Sequence, residues 1–181
     1  MSLIRGGAVM GPTHVHARWV PLRNAGAAHP AGQMTLDSAS RGLDFVLSET
    51  AQSGVDVLAC YPCDYPAGGA FMRIDEVCFP VGAVAHRHTH TGAGIRHLVR
   101  GSLRLEADDH TQTMNVGDSW FEAANSPVRA VSLHEKGVAS FLRAMVIPAE
   151  FEGKSTFTLS NPDDAQLPRL QVTHRHIDLP L

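Results

Sequence analysis

Three histidines, His86, His88 and His90, stand two residues apart in the run Val84 to His90. On an extended strand, residues two apart point to the same face. Neutral imidazole nitrogen binds Zn, Fe, Mn, Ni or Cu, so this face carries the chemistry of a metal or ligand site. The plainer alternative is a solvated polar face. The first and third histidines lie about 13 Å apart on a regular strand, so all three meet one ion only if the strand bends. Cys60-Tyr61-Pro62-Cys63 has the spacing of a redox pair or half a zinc site. It lacks a βαβ context and a second such pair, and reads as two ordinary thiols in a loop. His14-Val15-His16 and His174-Arg175-His176 repeat the histidine spacing near the ends, outside strong strand and turn signals. No phosphate loop and no Gly-x-Ser-x-Gly elbow is present.

The chain that must position these residues has 181 of them, enough for one domain and a modest extension. Hydrophobic residues make up 44% and charged residues 18%, which argues against disorder throughout. The net charge of -3 and the absence of a basic stripe disfavour a nucleic-acid binder. No apolar run approaches about 18 residues, so no membrane span is expected. Three cysteines are too few for a disulfide framework and indicate a reducing, cytoplasmic setting. Residues 1–36 hold Arg5, Arg18 and Arg23 and no acid, but no apolar stretch of a secretory signal follows.

The pattern divides the chain into three parts. Residues 1–69 read as an N-terminal extension, with a short helix from Ser38 to Gln52 begun by Ser40 and ended by Gly54. Residues 70–149 hold eight short strand-like runs separated by turn signals, which argues for an all-β sandwich or barrel. The runs are Phe71 to Val77, Val84 to His90, Ile95 to Val99, Leu103 to Ala107, Thr111 to Val116, Ser119 to Glu122, Val128 to Leu133 and Ala139 to Ile147. Asp108-Asp109 reads as a hairpin turn. Residues 150–181 form a polar tail whose stretch from Leu170 to His176 can add an edge strand or pack on a partner.

Gly82, five residues and His88-Thr89-His90, with Gly101 closing the segment, resemble the first motif of the cupin superfamily. That motif places Glu where this chain has Gly94. Gly117 and Ala123-Ala124-Asn125 resemble the second motif, with Asn125 in place of its Gly, Val128 where His is expected and Ser132 where Asn is expected. Asn tolerates the left-handed turn geometry better than most residues. The resemblance covers about Ala70 to Pro148. It implies a cupin-like jelly-roll β-barrel with the two histidines inside its mouth. It also implies a divalent transition metal (Fe, Mn, Ni, Cu or Zn), a small-molecule substrate, dioxygenase, isomerase or lyase chemistry, and a homodimer.

Two of the four usual ligand positions are replaced, so the set needs completing. His86 shares the face of His88 and His90. If position 94 faces inward, Arg96 and Leu98 do too and His97 faces away; a bulge near Gly92 or Gly94 would reverse this. Glu122, beside Trp120 and Phe121, would complete a two-His, one-carboxylate set of the kind used by non-haem iron oxygenases. Its alternative is an ion pair with Arg96, Arg129 or Arg143. Arg96 inside the barrel could clamp a substrate carboxylate. The expectation is therefore a metal-dependent cupin enzyme acting on a small organic anion, with oxygenase-type chemistry. Metal ligands would come from His88, His90, His97 and His86, with Glu122 and Arg96 catalytic. The alternative is a metal-free cupin that binds a small ligand as a sensor or accessory module.

Overall fold

Residues Ala70 to Pro80 alternate two sets of side chains, and a strand sends such sets to opposite faces. In the computed structural model, which describes residues 1–5, 13–21, 32–35 and 42–181, that strand separates two hydrophobic layers. The described strands are β1 (Ser2–Arg5), β2 (Thr13–Pro21), β3 (Gly32–Thr35), β4 (Leu43–Ser48), β5 (Val57–Cys60), β6 (Ala70–Pro80), β7 (Val84–His90) and β8 (Ala93–Arg100). They continue with β9 (Ser102–Glu106), β10 (Thr111–Asn115), β11 (Ser119–Glu122), β12 (Val128–Ser132), β13 (Val138–Pro148), β14 (Phe157–Leu159) and β15 (Val172–Pro180). All eight runs read between residues 70 and 149 are strands.

Three antiparallel five-stranded sheets result, ordered β3-β2-β4-β1-β5, β10-β9-β12-β7-β14 and β11-β8-β13-β6-β15. The second and third enclose the barrel. One cluster, including Phe79, Leu98, Leu103, Leu105, Met114 and Phe141, fills the space between them. The outward set of the third sheet, including Met72, Ile74, Ile95, Leu142 and Ala144, packs with Leu3, Trp19 and Phe45 of the first sheet. The N-terminal strands thus cover one wall of the barrel. Burial of a side chain of this size stabilises by about 1.5–3 kcal/mol.

The helix expected from Ser38 to Gln52 is corrected. Leu43–Ser48 is strand β4, between β1 and β2, and residues 38–41 lie outside the described ones. A central strand covered on both faces reads as a continuous apolar run, and Leu43, Phe45, Val46 and Leu47 are all buried. Such a run also satisfies a helical spacing, so periodicity alone chooses wrongly. No α-helix occurs among the described residues, and no helix is long and apolar enough to cross a membrane.

The polar segment after residue 149 contributes two strands. β14 pairs with β7, placing Phe157 opposite His90 and Leu159 opposite His88. β15 pairs with β6 as an edge strand, as the stretch from Leu170 to His176 suggested. The chain from Gly153 to Phe157, together with Arg169, lies along the barrel mouth.

Candidate functional site

A cavity of about 530 Å³ opens at the mouth of the barrel. This lies within the usual range for small-ligand sites. Its wall is apolar where Phe79, Leu105 and Phe141 of the barrel core line it, and polar at His88, His90, Arg96, Glu122 and Arg143. Lys154, Arg169 and Arg175 rim it and are exposed.

Strand alternation places the two histidines. β7 turns His88 and His90 inward, each 6% exposed, and their Nε2 atoms come within 3.2 Å. His88 stacks on Phe157, with ring centroids 4.5 Å apart. The partners fix both tautomers. His88 Nδ1–H donates to the His86 carbonyl oxygen at 2.7 Å, which leaves Nε2 as its lone pair. Arg143 Nη1, which can only donate, donates to His90 Nε2 at 2.8 Å, so that nitrogen also carries no proton. His90 Nδ1–H reaches toward Thr156 Oγ1 at 3.4 Å. Burial pushes His88 down to about 4, against the hydrogen bond to His86. Burial, then the positive charges of Arg143 and Arg96, push His90 lower still. Both rings are neutral at pH 7. His88 Nε2 therefore faces another acceptor, and an unanswered buried acceptor costs roughly 1–3 kcal/mol.

Three buried arginines reach the cavity from strands, and each has its own carboxylate. Arg143 on β13 is held in a fork by Asp75 on β6, at 2.9 and 2.8 Å. Burial works against its charge, but Asp75 overrides this and raises the guanidinium above its ordinary value. Arg73 forks onto Asp178 of β15 at 2.9 Å for both contacts. Arg96, 1% exposed, has Nη2 2.8 Å from Glu122 Oε2 and donates from Nη1 to the Gly94 carbonyl oxygen. That contact is an ion pair, so Glu122 offsets the buried Arg96 charge. Burial lowers Arg96 to about 10, with Glu122 opposing, and it remains charged at pH 7. Glu122 also accepts from Trp120 Nε1 at 2.8 Å.

The two replaced positions have a structural account. Gly94 pairs with Met145 on one side and with Glu122 on the other. A Cβ at Gly94 would stand 1.9 Å from the Ala144 carbonyl oxygen, so no side chain fits there. The carboxylate comes instead from directly across the strand pair. Val128 lies opposite His88 in the β7–β12 register and gives the cavity an apolar wall. Asn125 has φ 61, the left-handed turn its position requires.

Of the residues singled out in the sequence, His88, His90, Arg96 and Glu122 line one cavity. His86 does not; its Nε2–H points to the Pro168 carbonyl oxygen at 3.2 Å. His97 turns to the opposite face of β8, where its Nδ1 meets Ser119 Oγ at 2.8 Å. Asp75 and Arg143 complete the site and were not proposed from sequence as site residues. One signal was available: Arg143 is the single charged residue in the otherwise largely apolar run Ala139 to Ile147.

The residues present do not fit a resident metal. No group of three His, Cys, Asp or Glu side chains able to hold an ion occurs among the described residues. Of the two imidazole lone pairs, one is already engaged by Arg143, and two guanidinium groups border the histidines.

Cys60 and Cys63 line a second cavity, of about 560 Å³, between Met1, Ser2, Leu47 to Ala51 and Tyr65. Both thiols are free. The side chains of His14 and His16 lie outside the described ones. His176 Nε2 sits 3.9 Å from the buried carboxylate of Glu76, away from the mouth cavity.

Residues 75–144 match the family model for the cupin domain. Among solved structures, the chain is similar to the DMSP lyase DddQ of Ruegeria pomeroyi DSS-3. Identity is 17% over 50% of this chain and 45% of that one, with a TM-score of 0.42. It is also similar to the oxalate decarboxylase of Lactobacillus farciminis in its formate complex, at 21% identity over 55% of this chain and 34% of that one, with a TM-score of 0.42. A third is the polyketide cyclase RemF of Streptomyces resistomycificus, at 19% identity over 59% and 75%, with a TM-score of 0.40. The chain spans less than half the length of the first two. No curated protein matches it.

Proposed function

The chain belongs to the cupin superfamily, and on that premise we propose that its barrel binds a small organic anion without a resident metal. One observation carries this reading, the charge balance of the cavity. Arg73, Arg96 and Arg143 are each offset by a carboxylate. Lys154 and Arg169 at the rim have no carboxylate partner among the described residues, and Arg175 has only a 3.7 Å contact to Asp178. The surplus positive charge therefore sits where a ligand enters. Rim cations of this kind steer an anion and hold its acid group. Arg169 is also stacked on Phe157, 4.2 Å from the ring centroid, which ties the rim to the ring covering His88.

In this reading His88 and His90 recognise the end of the ligand that reaches inward. Arg96 and Glu122 set the polarity of the wall. The apolar part of the wall excludes water.

The second reading is the metal-dependent enzyme with oxygenase-type chemistry. It is favoured by the convergence of two Nε2 atoms at 3.2 Å. It requires Arg143 to leave His90 and Glu122 to turn from Arg96 and Trp120. Elemental analysis of untagged protein purified without chelator separates the two readings, alongside calorimetric titration with small carboxylates. The expected result is less than one tenth of an equivalent of metal, and carboxylate binding that weakens at high salt. Near-stoichiometric metal, lost in a His88→Ala, His90→Ala double variant, overturns the metal-free reading.

A further inference from the structure

We infer that the ligand carries a hydroxyl group that donates to His88 Nε2, so that the chemical class taken by the cavity is a small hydroxylated organic acid. This rests on the anion-binding reading above and deepens it. The argument is one of proton inventory. His88 Nδ1 must keep its proton, because its partner at 2.7 Å is a carbonyl oxygen. His90 Nε2 must lack one, because its partner at 2.8 Å is a guanidinium N–H. The 3.2 Å approach of the two Nε2 atoms is therefore acceptor against acceptor. His90 has its donor in Arg143, and His88 has none. Its ring is 6% exposed, lines the cavity and is fixed by the stack on Phe157.

A donor reaching His88 Nε2 has to come from the cavity. A carboxylate brings only acceptors and would meet the two lone pairs with further repulsion. A hydroxyl brings one proton and one acceptor oxygen. Its proton answers His88. Its oxygen is then free to accept from a donor lining the same cavity. The acid group is left for the rim at Lys154 and Arg169. Between the two ends the Phe157 ring, stacked on His88 and under Arg169, provides an apolar wall suited to a hydrocarbon or ring spacer.

The test compares acids that differ only in the donor. Phenylacetate, 4-hydroxyphenylacetate and 4-methoxyphenylacetate are titrated into the full chain by calorimetry in chelator-containing buffer, as are butyrate and 4-hydroxybutyrate. In at least one series the hydroxy acid is expected to bind about tenfold tighter or more than its parent, because a site built around a donor rejects the analogue lacking it. The methoxy acid, which keeps the oxygen and loses the proton, is expected to bind no better than phenylacetate. In a His88→Phe variant, which keeps a ring against Phe157 and loses the lone pair, the ratio is expected to fall to about one. The methoxy comparison decides the matter without any variant should that protein fail to fold. Equal binding of hydroxy and parent acids in both series, or of hydroxy and methoxy acids, overturns the hydroxyl inference and leaves the anion reading standing. Binding of none of the five overturns both. A hydroxyl preference that appears only after Fe, Mn or Zn is added assigns the lone pairs to a metal and overturns it as well.

Discussion

The protein has two described cavities of nearly equal volume, about 530 and 560 Å³, and their walls differ completely. The barrel cavity is lined by six basic side chains, two carboxylates and two buried imidazoles. The N-terminal cavity is lined by Met1, Ser2, the segment around Ser48, two thiols and two tyrosines. In the first, polar groups project from ladder-bonded strands and are locked by partners on other strands, as Asp75 on β6 locks Arg143 on β13. In the second, much of the polar surface belongs to connecting segments, and Ser2 Oγ donates to Cys60 Sγ at 3.2 Å across one edge. Empty space alone therefore says little about function. Fixed, desolvated groups that lack an internal partner say more.

The largest test of this contrast removes a lock. Asp75→Ala leaves Arg143 charged, buried and unpaired, and is expected to cost about 3–5 kcal/mol in denaturant unfolding. It also frees Arg143 from the position that holds it on His90. Cys60→Ser in the other cavity is expected to stay within about 0.5 kcal/mol. Similar costs for the two variants would erase the distinction.

Acid should act next in size. His88 and His97 are both lowered from 6.5 to about 4, in each case mainly by burial. The folded chain resists protonation that the unfolded chain accepts. Stability is therefore full above about pH 7 and declines as pH falls from 6.5 toward 4. The expected loss is on the order of 2 kcal/mol for each ring, measured as denaturant midpoints at pH 7, 5.5 and 4.5. His90, lowered further still, contributes over the same range, so His97→Gln should remove about a third of the slope without touching the cavity. An unchanged slope in that variant would mean that His97 is not buried as described.

The rim provides a third and smaller effect. Arg169→Ala is expected to weaken carboxylate binding about tenfold, since one charge-assisted contact is worth roughly 1.5 kcal/mol or more. Its exposed position should leave unfolding unchanged within about 0.5 kcal/mol. Tight binding that survives the substitution would move the acid group of the ligand away from the rim.

Much of the barrel was legible because the runs between residues 70 and 149 are bounded by turn residues and several alternate; even β6 and β13, eleven residues each and buried on both faces, are set off by turn signals. Spacing two set His88 and His90 on one face, but also His86, which instead meets Pro168. Alternation offered Arg96 inward and His97 outward as one of two branches, yet His97 still stood among the expected ligands. β4 was not legible, because burial on both faces removes the alternation that marks a strand. The partnership of Arg143 with Asp75 and His90 was not legible either. It depends on the register of β13 against β6 and on β7 from another sheet, and neither is encoded within a local window. The same holds for Glu122, whose position opposite Gly94 is a property of the β8–β11 pairing. Neither the resemblance nor the spacing indicated that Ala144 closes the space at Gly94.

The smallest expected effect asks whether the N-terminal cavity is chemically quiet. A reactive cysteine needs a lowered pKa and access to solvent. Burial instead raises Cys63, and burial together with the Glu76 carboxylate pushes Cys78 up to about 11. Cys60 is exposed. Iodoacetamide at pH 8 is expected to modify Cys60 first, Cys63 more slowly and Cys78 only after unfolding, as read by mass spectrometry of timed samples. Cys78 also sets a sign at the alkaline end. Its raised value favours the folded state only while the unfolded thiol remains protonated, so that contribution is complete below about pH 9 and lost as pH rises toward 11. If Cys60 or Cys63 reacted much faster than a free thiol, the second cavity would hold an activated nucleophile. The contrast between a chemically prepared cavity and a merely empty one would then have to be redrawn around both.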